Sequence, residues 1–116
     1  MQLEDVKEGG FIVLSKLTKV LRTDPKEIAW TIGLSERAFK GQSSLQSADT
    51  QKRLCDLVDV LLTIAPRFGS PLIAYAWYRS EPVAGLGGWT AMQLVQAGKS
   101  KEFYSYLEAI DAGVYV

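Results

Sequence analysis

Hydrophobic positions recur along the chain at helical spacing. Phe11, Leu14, Leu17, Thr18 and Leu21 follow a stripe of period near 3.6, with Lys16, Lys19 and Arg22 mostly on other faces, so a first helix is expected there. Residues 1–10 are polar and end in Gly9-Gly10, which predicts a flexible N-terminal arm outside the core. Asp24-Pro25-Lys26-Glu27 joins a capping residue, a proline at the first helical position and an acid in the first turn. A second, short helix follows, carrying Ile28, Ala29 and Ile32 inward and stopping at Gly33. Ser35 opens another short helical segment through Glu36, Arg37, Ala38, Phe39 and Lys40. Short helix, tight turn through Gly33-Leu34 and second short helix is the order of a helix-turn-helix.

Residues 41–49 are rich in Ser, Gln and Gly and read as a loop. The clearest pattern comes next: Leu54, Leu57, Val58, Leu61, Leu62 and Ala65 mark one face of a long helix, punctuated by Pro66 and Gly69-Ser70-Pro71. Leu72, Ile73, Ala76 and Trp77 predict the apolar face of a further helix ending near Ser80. Residues 81–89 form a glycine-rich connector, long enough to set a C-terminal unit apart from the first core. Thr90 and Gln93 have capping-box spacing and start a helix of about two turns that Gly98 closes. Ser100 caps the last helix, with Phe103, Tyr106, Leu107 and Ile110 as its buried stripe and Gly113 just past its end. No strand pattern of adequate length and no internal repeat is present. The expected fold is all-α: an arm over residues 1–10, a helix-turn-helix-like bundle with a long central helix over 11–69, and a C-terminal helical unit over 70–116.

At 116 residues and 12.8 kDa the chain has the size of one domain, or of one core with a small appended subdomain. With 47% hydrophobic and 22% charged residues it is neither disordered nor fibrous. Thirteen basic and thirteen acidic residues cancel, so no global field draws it to nucleic acid or to an anionic membrane. The chain has no histidine, which removes most triad hydrolases and histidine-containing zinc sites. Cys55 cannot form an internal disulfide or a cysteine cluster, and its place in an apolar pattern makes it a small core residue of a reduced protein. The first residues lack the order of a signal peptide, and no apolar run approaches the roughly 20 residues of a membrane span. A cytoplasmic protein with no membrane partner is expected.

Three segments are candidates for function. The helix-turn-helix would put Ser35, Glu36, Arg37, Phe39 and Lys40 near a DNA groove, with Lys16, Lys19 or Lys26 on phosphates. Between positions 11 and 53 eight basic residues stand against four acidic ones, a local charge of plus four. Gly85-x-Gly87-Gly88-Trp89 lacks the preceding strand and the Lys-Ser/Thr pair of a phosphate loop, so its glycines set a turn. Trp89 then either staples the Thr90 cap to the core or offers an exposed ring to a ligand. Ala112-Gly113-Val114-Tyr115-Val116 is apolar and uncharged, and either folds back on its helix or plugs a partner's pocket with Tyr115 as anchor. The aromatic density of the last third exceeds the needs of a small core, and Tyr104, off the main stripe, is a candidate contact with a partner. Glu102, Glu108 and Asp111 are the available acids, with no basic or nucleophilic neighbour, so no enzymatic activity, cofactor or metal is expected.

Taken as one unit, Tyr78-Arg79-Ser80-Glu81-Pro82, Gly85-x-Gly87-Gly88-x-Thr90-Ala91-x-x-Leu94-Val95, Gly98 and Tyr106-Leu107-x-x-Ile110-x-x-Gly113-Val114-Tyr115-Val116 resembles the Xre/ParS/MbcA antitoxins, the partners of RES-domain toxins. Upstream, Ile28-Ala29, Ile32-Gly33-Leu34-Ser35 and Ala38-Phe39 are similar to the family's helix-turn-helix. The resemblance implies a type II antitoxin that sterically neutralises an NAD-consuming or ADP-ribosylating toxin. Its C-terminal part would contact the toxin, with Gly113, Val114, Tyr115 and Val116 approaching the NAD pocket; on the residue reading above, Trp89 and Tyr104 are further candidate toxin contacts. It also implies a homodimer or a hetero-oligomer with toxin, and repression of its own operon through operator DNA. The rival expectation is a stand-alone helix-turn-helix repressor, acting through Ser35, Arg37, Phe39 and Lys40.

Overall fold

A computed structural model describes residues 1–113, and the helix on which the rest is hung is α4, Ala48–Phe68. Its ends have clear causes: the Ser47 hydroxyl accepts from the Thr50 N–H at 3.3 Å, and Gly69, in the left-handed region at φ +75°, closes it. Pro66 does not stop the helix as expected. It stands on the exposed side of the last turn, where the single forfeited hydrogen bond costs little against continued packing of Phe68. The buried face is wider than the predicted stripe: Val60 and Ile64 are fully buried, whereas Leu62 and Ala65 are half-buried, because α4 is covered from more than one side.

The N-terminus departs from the expected loose arm. Leu3 and Val6, on a 3-10 turn over Leu3–Val6, are each 1% exposed and belong to the core. The chain then forms a hairpin from β1, Lys7–Glu8, and β2, Phe11–Ile12, with Glu8 opposite Phe11. Gly9 and Gly10 are its two-residue turn, both at positive φ (56° and 84°), the geometry that matches strand twist. Gln51 of α4 fastens this hairpin: its side-chain oxygen accepts from Ile12 N–H at 2.8 Å, and its amide donates to Ile12 and Leu45 carbonyls at 3.2 and 3.0 Å. A mostly polar N-terminal sequence is thus ordered by two apolar anchors and one buried amide.

α1, Leu14–Leu21, buries Leu17 and Leu21, and Phe11 lies before it on β2 rather than on its stripe. α2, Pro25–Thr31, begins where expected, its Asp24 carboxylate accepting from Glu27 N–H at 2.8 Å. It ends in a Schellman arrangement: Gly33 N–H donates to Trp30 O and Leu34 N–H to Ala29 O, with Gly33 at φ +78°. The predicted loop over 41–49 contains one helical turn, α3, Gln42–Leu45. α5, Pro71–Ser80, starts at the expected Gly69-Ser70-Pro71 break, with Ser70 as its cap, but turns a different face inward. Ala74, Tyr75 and Tyr78 are buried, while Ile73 is 54% exposed and Ala76 faces water. The tyrosines can be buried because their hydroxyls find acceptors: Tyr75 donates to Glu27 at 2.7 Å and Tyr78 to the Thr31 carbonyl at 2.9 Å.

α6, Ala91–Gln96, and α7, Ser100–Asp111, complete the fold, with a 3-10 turn over Ala84–Leu86 between α5 and α6. Ser100 is the buried first residue of α7 rather than its cap, which is Lys99. The expected boundary near residue 70 does not separate two cores. Buried residues from Leu3 to Leu107 form one cluster, α5 packing on α4 and α1 and α6 on α2, α4 and α5. Helices of these lengths each have too small an apolar face to be stable alone, so they share one interior.

Candidate functional site

The start of α6 is set by its capping box. Thr90 Oγ1 accepts from Gln93 N–H at 3.0 Å and Gln93 Oε1 accepts from Thr90 N–H at 2.9 Å. Burial of Ala91, Met92, Leu94 and Val95 leaves Gln93 and Ala97 facing outward, with Gln96 half-buried beside them. Just before the cap, Val83 N–H donates to Trp89 O at 2.9 Å and Gly88 N–H to Val83 O at 3.0 Å, so the glycine-rich connector is a closed turn. Its closeness leaves no room for a side chain at Gly85, where a Cβ would lie 2.3 Å from the Tyr106 ring. The turn holds Trp89 with its ring outward, 41% exposed, and Lys99 Nζ 5.5 Å from the ring centroid. Trp89, Gln93, Gln96 and Ala97 line an open depression of about 320 Å³.

Trp30 of α2, 55% exposed, joins this surface through Gln96, whose amide donates to the Trp30 carbonyl at 2.8 Å. The two helices meet backbone to backbone: a Cβ at Gly33 would stand 2.6 Å from the Gln96 carbonyl oxygen. Arg53 of α4 locks the junction. Its guanidinium Nη1 donates to Ile32 O, Val95 O and Gln96 O at 3.0, 3.0 and 2.8 Å, a cation placed where the carbonyl-rich ends of α2 and α6 converge. α6 ends as α2 does, Gly98 N–H donating to Val95 O and Lys99 N–H to Leu94 O.

The predicted DNA-contacting residues lie elsewhere and in a different form. Ser35, Arg37 and Lys40 are exposed, but Phe39 is half-buried against the core. Arg37 and Phe39 sit on one 3-10 turn, Glu36–Phe39, with Ser35 and Lys40 as its extended flanks, and there is no reading helix here. Extended backbone at Lys40 and a positive φ of 84° at Gly41 cut this turn off from α3, and nothing in it is fully buried to hold a longer helix. The expected second helix of the helix-turn-helix is thereby corrected. Lys16 is paired with Glu8, while Lys19 and Lys26 are exposed.

Trp89 and Tyr104 face different neighbours. Tyr104 lies edge-on to Phe103 at 6.1 Å, one end of an aromatic run through Trp77 and Phe68. Among the described residues its buried hydroxyl has no hydrogen bond of ordinary geometry, and burial, helped by the charge of Asp59 and opposed by the nearby Thr63 hydroxyl, pushes the phenol up to about 12. Trp89 is outward, so of the two expected roles for that ring the exposed one matches its position. Gly113 is exposed at φ +77°, its N–H donating to Ile110 O at 2.9 Å, as expected for the residue that ends α7. Val114, Tyr115 and Val116 lie outside the described residues. Asp111 pairs with Arg67 at 3.2 Å, and Glu102 and Glu108 are exposed. Burial raises the Cys55 thiol, which makes it a poor nucleophile. Among the described residues no group of three or more Cys, Asp or Glu could hold a metal ion, and no single helix is long and apolar enough to cross a membrane.

Sequence reasoning missed Trp30. The signal was there: with Ile28, Ala29 and Ile32 inward, position 30 falls on the opposite side of the helix. The fold is an all-α bundle closed around one core, with two outward tryptophans at the junction of α2 and α6. No family model, curated protein or solved structure matches the chain.

Proposed function

We propose that this chain is the antitoxin of a type II toxin–antitoxin system, a cytoplasmic, non-catalytic protein that sterically neutralises a RES-domain toxin acting on NAD. The reading rests on the sequence resemblance over residues 70–116 together with one structural observation: Trp89, in the part of the chain that carries the resemblance, is held outward by a closed turn instead of serving the core. An exposed tryptophan over a shallow depression suits a protein partner. The residues behind the resemblance have structural work that fits the same unit, Gly85 beneath Tyr106, Thr90 as cap and Gly98 and Gly113 as helix ends. Residues 113–116 would enter the toxin's cleft, their local concentration raised by the docked body to roughly the millimolar range. A stand-alone repressor would have to read DNA without a full reading helix, since Arg37 stands on a single 3-10 turn and Lys40 on the extended residue after it.

The test is co-purification with the product of the adjacent gene, followed by an NAD-consumption assay on that product. A stable complex and loss of NAD turnover are expected, and deletion of residues 113–116 should restore turnover while the far-ultraviolet circular dichroism stays unchanged. No complex, with salt-sensitive retention of the chain's own promoter fragment, would move the protein to the repressor class.

A further inference from the structure

Tryptophans are seldom left in water, and two of the three in this chain are. Trp30 and Trp89 are joined through Gln96, which bonds the carbonyl of one and lines the depression beside the ring of the other. Two unpaired cations stand beside them. Lys26 stands one turn before Trp30 on the same face of α2, and Lys99 lies beside the Trp89 ring. Both lysines are exposed, and among the described residues neither is paired with a carboxylate. The nearby acids are engaged elsewhere: Asp24 caps α2, and Glu27 is turned to Tyr75 and Arg79 of α5.

We propose that the Trp30–Trp89 face binds an acidic segment of a partner protein. An aliphatic or aromatic side chain of that segment fills the depression beside Trp89, and its carboxylates meet Lys26 and Lys99. This inference rests on the reading of the chain as a protein-binding module and adds the chemistry of what it binds, without depending on which protein that is. Charge decides against the other occupants. A second copy related by a two-fold axis would set lysines against lysines. A nucleic acid strand would find two unpaired cations on a molecule of zero net charge, enough for few phosphates. Arg53 and the Gly33–Gln96 contact fix the end of α2 against the end of α6, so the backbones that carry this face are preorganised.

The test is selection of a phage-displayed random peptide library on the immobilised full chain, with recovered peptides synthesised, labelled and measured by fluorescence anisotropy. Recovered peptides should carry Asp or Glu on both sides of one apolar anchor and bind more weakly as salt rises. Affinity should fall at least tenfold in Trp30→Ala and in Trp89→Ala. The double variant Lys26→Glu, Lys99→Glu should lose the acidic peptides and select basic ones. All four side chains are exposed, so circular dichroism and the melting temperature should stay near those of the parent chain. Peptides without acidic enrichment, or affinities unchanged in these variants, would overturn the proposal. So would self-association, or binding of a labelled oligothymidine, that the same tryptophan variants abolish. No toxin enters this experiment: acidic selection beside a failed NAD assay removes the toxin and keeps the surface, and the reverse outcome does the opposite.

Discussion

Glu27 is the third helical residue of α2, and its carboxylate gathers three side chains from two other stretches of chain. It accepts from the Thr23 hydroxyl and from the Tyr75 phenol, and Arg79 reaches it at 3.6 Å while lying 4.2 Å over the Tyr75 ring. The Thr23 hydrogen bond, then those of Tyr75 and the charge of Arg79, hold the Glu27 carboxyl below its ordinary value against the opposing effect of burial. Its folded pKa is lowered, so the stabilisation is fully present above the unfolded pKa of about 4.3 and is lost as the pH falls through the folded value. Glu27→Gln should therefore be less stable than the parent chain at neutral pH, and the gap should close as the pH falls through the lowered carboxyl value, read from urea midpoints. A gap of constant size across that range would show that the carboxylate's charge contributes nothing. Asp24 and Glu27 were legible as a helix start; that Glu27 also receives α5 was not, because Tyr75 lies 48 positions away.

α5 shows how an element can be legible while its orientation is not. Ser70 and Pro71 mark its start, and Ser70 Oγ accepts from Leu72 N–H at 3.2 Å as a cap should. Hydrophobicity alone chose Leu72, Ile73, Ala76 and Trp77 as the inner face. Two tyrosines with acceptors waiting on α2 outweigh one isoleucine, since a buried phenol that keeps its hydrogen bond also buries more apolar area. Ile73→Ser should then change stability by only about 0.5 kcal/mol or less, whereas Ala74→Leu, at a position with 0% exposure, should cost about 1–3 kcal/mol by overpacking. Chemical denaturation of the two variants distinguishes the faces, and the reverse ranking would restore the predicted one. The 3-10 turn over Glu36–Phe39 is a related case: its composition permits a helix, but Gly41 and the lack of a buried side give it no reason to extend.

Over the whole molecule, one core from Leu3 to Leu107 implies one cooperative unit. Thermal unfolding followed by far-ultraviolet circular dichroism and by tryptophan fluorescence should give coincident transitions. Arg53→Ala, which removes the donor shared by three carbonyls at the ends of α2 and α6, should lower both together by about 2 kcal/mol, roughly 5–10 °C in a chain of this size. Loss of the fluorescence transition ahead of the helical one would show that residues 70–113 melt as a separate unit.

The sequence by itself determined many of the helix ends, because caps, prolines and left-handed glycines act over three or four residues: Asp24 and Pro25, Ser70 and Pro71, Thr90, Gly33, Gly69, Gly98 and Gly113 all stand where such signals should. It determined the all-α class and left Trp89 with two roles. Only the tertiary structure decided which faces are inside, that the N-terminal residues 3 and 6 are core, and that Gln96, beside the Trp89 ring, is tied to the backbone of the exposed Trp30. Those outcomes depend on partners 39 to 66 positions away, such as Gln51 for Ile12 and Gln96 for Trp30, and no local pattern encodes which distant side chain will fill a hole or satisfy a buried group.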